Sequence, residues 1–366
     1  MRWRAHLSDL AEQGVRDLHP SYFTLVMATG ILSTASHLLG MPAVAWVLFQ
    51  VTLGAYVILT LLTGVRLVRY FPRLLADLID HARGPFFFAV VAATNVLGNQ
   101  FLVVAGDAIT AAALWVLGVF LWFTLTYTFF TAVTVIEEKP GLETGLNGGW
   151  LMAVVATQSV SVLGTLVSPH VGASPGGVLF FTLSMYLLGC MLYILMISLI
   201  IYRFMFFSLT PTTLTPPYWI NTGAIAITTS AGALLIVSAP RWSFLQEILP
   251  FLKGFTLFFW VTGTWWIPLL LLLGAWRHFY MGFPFSYDPQ YWSIVFPLGM
   301  YTTCTFQLAQ ATGLGLLSVI PQYFVYIALV AWLVTFFGLI RTLVRNLASP
   351  PMAKQPSEAS KIPSDH

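Results

Sequence analysis

Apolar residues run through the chain in ten long stretches with polar breaks between them. Their approximate limits are 22 to 39, 43 to 65, 86 to 104, 109 to 135, 147 to 167, 177 to 202, 218 to 239, 250 to 275, 291 to 310 and 314 to 340. Each is close to the ~20 residues that a helix needs to cross a bilayer. The pattern therefore predicts an all-α integral membrane protein with ten transmembrane helices.

A second pattern lies inside the first. Four odd-numbered spans open on a proline followed three residues later by the second of two adjacent aromatics: Pro20 with Tyr22 and Phe23, Pro85 with Phe87 and Phe88, Pro216 with Tyr218 and Trp219, Pro289 with Tyr291 and Trp292. Span 5 substitutes Asn147, Gly148, Gly149 and Trp150. Successive starts are separated by about two spans and their connections, so the chain reads as five tandem helical hairpins. Further along, Ala28-Thr29-Gly30, Ala93-Thr94-Asn95 and Ala156-Thr157-Gln158 recur at nearly equal depth. Parallel repeats of this kind are related by an axis along the membrane normal, where a pathway can run. Ser, Thr, Asn and Gln number 27 in the 100 residues of the odd spans and 19 in the 129 of the even ones. Polar side chains avoid hydrocarbon, so the odd helices are expected to form an inner ring in a pseudo-fivefold arrangement lining a central pore. Ordinary close packing through small residues and hydroxyls is the competing explanation.

Composition agrees with the membrane reading. Of 366 residues, 58% are apolar and 8% charged, and mean hydropathy is +0.83; a soluble domain carries about 25% charge. The two cysteines, Cys190 and Cys304, cannot build a disulfide framework or a zinc site. With ten spans, Lys and Arg divide 14 to 2 in favour of the side that holds both termini, which places the termini in the cytoplasm. The expected organisation is a cytoplasmic segment over 1–20, one transport domain over 21–345 and a disordered cytoplasmic tail over 346–366.

No Asp, Glu, Lys or Arg falls within the odd spans. Cation pathways use carboxylate rings or carbonyl filters, and proton relays use titratable groups at depth. Anions are favoured for a positive reason. If all odd helices start on one side, their N-termini converge there, each with about half a positive charge. Arg66, Arg69, Arg73 and Arg83 lie in the loop on that same side. The candidate lining is Thr29, Thr94, Asn95, Thr157, Gln158, Gly223 and Thr302. Four residues past the second aromatic, spans 1, 3, 7 and 9 give Met27, Ala92, Gly223 and Phe296, and span 5 gives Val154 or Val155. Phe296 is the bulkiest of these and precedes a helix kink expected at Pro297 and Gly299, so it is the candidate gate. No catalytic residue, metal site, cofactor or nucleic-acid partner is expected.

The run His19-Pro20-Ser21-Tyr22-Phe23 to Met27-Ala28-Thr29-Gly30, together with Trp292-Ser293-Ile294-Val295-Phe296-Pro297-Leu298-Gly299, resembles the tellurite-resistance and dicarboxylate transporter family. That family includes TehA-like bacterial proteins, plant slow anion channels, fungal malate permeases and sulfite exporters. The resemblance covers residues 19 to 345. It implies five hairpins around a pore, a homotrimer, and occlusion by a helix 9 phenylalanine, which is Phe296 by motif position. It also implies transport of anions such as chloride, nitrate, malate or sulfite across the cytoplasmic membrane. The expected function is a gated anion channel or uniporter. The alternative is a proton-coupled carrier of C4-dicarboxylates, or an exporter of sulfite or tellurite.

Overall fold

The computed structural model describes residues 12–172 and 174–348. Arg2, Arg4, Lys354 and Lys361, and most of the tail expected over 346–366, lie outside the described residues. The described residues hold no strand. Long helices follow one another as α1 (Phe23–Leu38), α2 (Pro42–Arg69), α3 (Phe88–Val103), α4 (Ala108–Val135), α5 (Met152–Val167), α6 (Pro175–Phe206), α7 (Ile220–Ser238), α8 (Leu249–Ala275), α9 (Trp292–Thr312) and α10 (Val319–Ala348).

Eight of these, α2 to α8 and α10, are long and apolar enough to cross a membrane. The two that fall short are α1 and α9. Helix α1 carries Thr24, Thr29, Ser33, Thr34, Ser36 and His37, while α9 holds Thr302, Thr303, Thr305, Gln307 and Gln310. Both are enclosed by protein, so neither needs a side chain that lipid would accept. Large apolar residues stand exposed along the even-numbered helices, among them Leu61 and Val68 on α2, Ile109 and Phe120 on α4, and Phe337 on α10. Only an apolar medium would leave so much such surface uncovered without penalty. This is a multi-pass membrane protein.

Each odd helix packs against the next in the order α1, α3, α5, α7, α9, and α9 returns to α1. Each also packs against the even helix that follows it in the chain. Small residues make the close approaches possible. A Cβ on Gly30 would lie 2.5 Å from Val96 Cγ1, and one on Gly98 would lie 2.5 Å from Leu163 Cδ2.

Every odd helix opens with a 3-10 turn: Pro20–Tyr22, Gly84–Phe87, Gly148–Leu151, Pro216–Trp219 and Pro289–Tyr291. Proline fits the first positions because its missing N–H has no helical partner there anyway. Side chains cap three of the turns. His19 Nδ1 accepts Ser21 N–H at 3.1 Å, Asn147 Oδ1 accepts Gly149 N–H at 2.7 Å, and Asp288 Oδ1 accepts Gln290 N–H at 2.7 Å. The five turns touch one another in a closed ring of their own. Gly148 is needed there, since a Cβ would run into the Pro217 carbonyl oxygen.

Candidate functional site

Three features follow one another from the 3-10 end of the odd-helix ring toward its other end. The first is a cavity of ≈ 440 Å³ at the 3-10 end, reached by His19, Phe86, Asn147, Tyr218 and Gln290, one from the start of each odd helix. Two cations, Arg83 and Arg203, and one carboxylate residue, Glu143, line it. Arg203 is buried, donates from Nε and Nη2 to the Glu143 carbonyl at 3.2 and 2.9 Å, and sits 5.8 Å from the Tyr218 ring centre. Arg83 donates to Asp77 at 2.7 Å. Burial and the nearby Arg83 lower the His19 pKa to about 4, so this imidazole is neutral and remains an acceptor.

The second feature is a layer four residues past Phe23, Phe88, Trp219 and Trp292, and five past Trp150. Met27, Ala92, Val155, Gly223 and Phe296 are all buried. The Phe296 ring occupies the notch left by Gly223, where a Cβ would be 2.8 Å from Cε1 and 3.1 Å from Pro297 Cγ. Pro297 cannot donate to the Ser293 carbonyl, which loosens α9 at this level. Gly299 serves a close approach, with its Cβ position 3.0 Å from Ile31 Cγ2 on α1.

The third is a second, far smaller cavity. Adding four to each residue of the layer gives Ile31, Val96, Ser159, Ile227 and Met300, and adding seven gives Thr34, Asn99, Val162, Ser230 and Thr303. All of these but Thr34 line the cavity, together with Asn95. Its volume is ≈ 10 Å³, about what one water requires.

The candidate lining residues divide. Thr29 accepts from Trp332 Nε1 on α10 at 2.9 Å, and Thr157 accepts from Trp122 Nε1 on α4 at 2.8 Å. Thr94 gives its proton to Val90 O, so the Tyr56 hydroxyl on α2 donates to it at 2.9 Å. Gln158 donates to Tyr186 O on α6 at 3.0 Å, and Thr302 donates to Leu298 O in its own helix at 2.9 Å. These side chains are engaged with the outer helices or with their own backbone. Asn95 lines the small cavity while donating to Val91 O and to Ser159 Oγ on α5. Gly223 meets Phe296. The arginines divide as well. Arg66 is buried, pairs with Asp77 at 2.5 Å and holds the Arg16 and Leu18 carbonyls, which ties down the residues before α1. Arg73 pairs with Asp17 on the surface at 3.3 Å.

Equal depth alone does not pick out Asn99, Ser159, Ser230 and Thr303. The signal that finds them is the stripe at steps of four and three from the Phe296 layer, which keeps one face of each helix on the axis. Among the described residues no group of His, Cys, Asp and Glu is placed to hold a metal.

The chain is similar to known proteins along most of its length. Residues 17–340 match the family described as voltage-dependent anion channel. An uncharacterized transporter of Methanocaldococcus jannaschii is 24% identical over 338 residues, covering 90% of this chain and 95% of that protein. A second transporter from the same organism is 24% identical over 346 residues, covering 91% and 93%. An uncharacterized membrane protein of Mycobacterium tuberculosis is 34% identical over 158 residues, or 43% of this chain and 79% of that protein.

Proposed function

The chain belongs to the voltage-dependent anion channel family, the tellurite-resistance and dicarboxylate transporter family, and from that premise we propose that it is a gated anion channel or uniporter closed by Phe296. In this reading all ten long helices span the membrane as five hairpins, α1 and α9 included, and residues 21–345 form one transport domain. The pathway runs along the axis of the odd helices. Chloride, nitrate, malate and sulfite are the anions to test, the cytoplasmic membrane is the site of action, and the assembly is a homotrimer with both termini cytoplasmic.

The observation that carries the reading is the order of features on one axis. A wide cavity with Arg83, Arg203 and five helix starts is separated from a small polar cavity by a buried layer whose bulkiest member is Phe296. Five helix N-termini and two guanidinium groups outweigh the one carboxylate, Glu143, and make the wide end attractive to anions. An apolar constriction too tight for water stops ions without any charge of its own. The Phe296 ring rests against a glycine and beside a proline, so it can leave the axis without breaking a hydrogen bond.

Removing the ring should raise anion current on the order of tenfold or more, the factor that about 1.4 kcal/mol of barrier represents. The test is current and tracer flux in planar bilayers and proteoliposomes for the native protein and Phe296→Ala, with chloride, nitrate and malate, with and without a pH gradient. Unchanged current in folded Phe296→Ala protein contradicts the gate. Saturable malate uptake that follows the pH gradient, with no current from either protein, replaces the channel by a carrier.

A further inference from the structure

Helix α10 carries two arginines over turns that are still apolar on their outer side. Arg341 and Arg345 are exposed, and they alternate with Ile340, Leu343 and Val344, which the described residues leave uncovered too. Cations interleaved with bare apolar side chains place these turns at the boundary between hydrocarbon and headgroups. Exposed aromatics mark the same boundary: Phe285 stands close to α10, and the Phe279 ring lies 6.2 Å from it. Between α10 and the segment before α9 is a cleft of ≈ 460 Å³. Its α10 wall runs from Val334 through Gly338 and Arg341 to Arg345, steps of four, three and four that stay on one face of a helix. The facing wall is Phe285, Ser286 and Tyr287. Gly338 lets Tyr287 lie against α10, since a Cβ there would be 2.7 Å from Tyr287 Cδ2. Among the described residues no Asp or Glu lines the cleft, and the nearby Asp288 accepts the Gln290 N–H.

Resting on the membrane orientation given above and independently of the Phe296 gate, we propose that this cleft binds the headgroup of an anionic phospholipid from the cytoplasmic leaflet. That leaflet carries the anionic lipids, and basic pockets between helices at its surface suit their headgroups. A guanidinium group meets a phosphodiester through paired N–H donors, and the Ser286 and Thr342 hydroxyls on the cleft wall supply further donors. The acyl chains lie along Val330, Val334 and Phe337, which stand exposed on α10. A phospholipid fits better than a free phosphate because the cleft is apolar at Val334 and Phe285 and basic at Arg341 and Arg345. A free phosphate would answer the basic end alone.

The test titrates the full chain in detergent with phosphatidylglycerol, phosphatidylcholine and inorganic phosphate, and counts bound lipid by native mass spectrometry. Phosphatidylglycerol should bind about thirtyfold more tightly than phosphatidylcholine, at about fivefold for each arginine, and Arg341→Gln/Arg345→Gln should abolish that preference. Arg341→Lys/Arg345→Lys keeps the charge and should keep the larger part of it. Arg69→Gln/Lys139→Gln removes equal charge from the same side of the membrane and should leave it intact. Equal affinity for the two lipids overturns the site, and so does an equal loss in both glutamine pairs. Inorganic phosphate that displaces phosphatidylglycerol at equal concentration overturns the lipid as its ligand. In liposomes, a photoactivatable phosphatidylglycerol should label residues 285–291 and 334–345 of the native protein. Absence of label there, as when a second copy or another part of the chain covers the cleft, also overturns the site. None of these readouts involves ion flux, so the lipid site and the channel reading fail separately.

Discussion

The odd and even helices of this protein have similar apolar character and very different surroundings. In the three odd helices long and apolar enough to cross a membrane, 78–89% of the most apolar stretch is buried inside the protein, against 17–44% in the five even ones. Hydropathy alone therefore does not separate a helix that lipid surrounds from one that protein surrounds. What separates them is which side chains the surroundings permit. Inner helices carry glycine where neighbours approach and hydroxyls where a partner waits. Outer helices carry Trp, Phe and Leu that nothing among the described residues covers. The same difference accounts for α1 and α9, whose polarity takes them below the spanning criteria while they stand in the inner ring.

Glycine substitutions should break this comparison most sharply. Gly148→Ala drives a methyl into the Pro217 carbonyl and should lower thermal stability by about 3 kcal/mol or prevent folding. Gly54→Ala on α2 meets nothing within 4 Å and should stay within about 1 kcal/mol of the native protein. Melting temperatures of the two variants in detergent check the pair.

Gly223→Ala tests the gate from the opposite wall. The new methyl displaces the Phe296 ring and should change basal anion flux about threefold, and the change should vanish in the Phe296→Ala background. Equal effects in both backgrounds would separate the glycine from the ring.

The seams between neighbouring hairpins share a device. An aromatic donor on an even helix reaches a polar group on the next odd helix: Tyr56 to Thr94, Trp122 to Thr157, Tyr193 to Asn221, Trp260 to Thr305, and Trp332 back to Thr29. Trp332→Phe removes one such bond and should cost roughly 0.6–2 kcal/mol while leaving the chloride-to-nitrate permeability ratio unchanged. Altered selectivity would bring Thr29 back to the axis.

The smallest effect concerns pH. Because the His19 pKa is lowered to about 4 by burial and by Arg83, the unfolded chain binds more protons than the folded one between about pH 4 and 6.5. Stability should therefore fall as pH drops through that window and be independent of His19 above it. His19→Gln should flatten the decline, measured by thermal unfolding at pH 7, 5 and 4.

Much of this fold is legible in the chain because lipid and helix geometry impose strong periods. The apolar runs locate the long helices, and the proline-aromatic spacing marks the 3-10 turns at the starts of α1, α3, α7 and α9. Direction around each helix is harder to read. Thr29 and Thr94 lie two residues past Met27 and Ala92, and a helix turns by about 200° over two residues, so a shared depth puts them on the opposite face. Only their partners, Trp332 and Tyr56, reveal that direction, and Trp332 is distant in the chain. The loop arginines posed the same difficulty. Nothing local distinguishes Arg83, which reaches the axial cavity, from Arg66, which Asp77 and two carbonyls occupy.

The most direct test of the central claim asks whether the axis beyond Phe296 opens to water when the ring is removed. In a background with Cys190 and Cys304 replaced by alanine, single cysteines at Ser230 and at Thr29 would be exposed to a small anionic thiol reagent in proteoliposomes. The account predicts that the cysteine at 230 reacts readily with Phe296→Ala present and slowly with Phe296 intact, while the cysteine at 29 stays unreactive in both. Equal reactivity at 230 with and without the ring would contradict an axial pathway gated by Phe296.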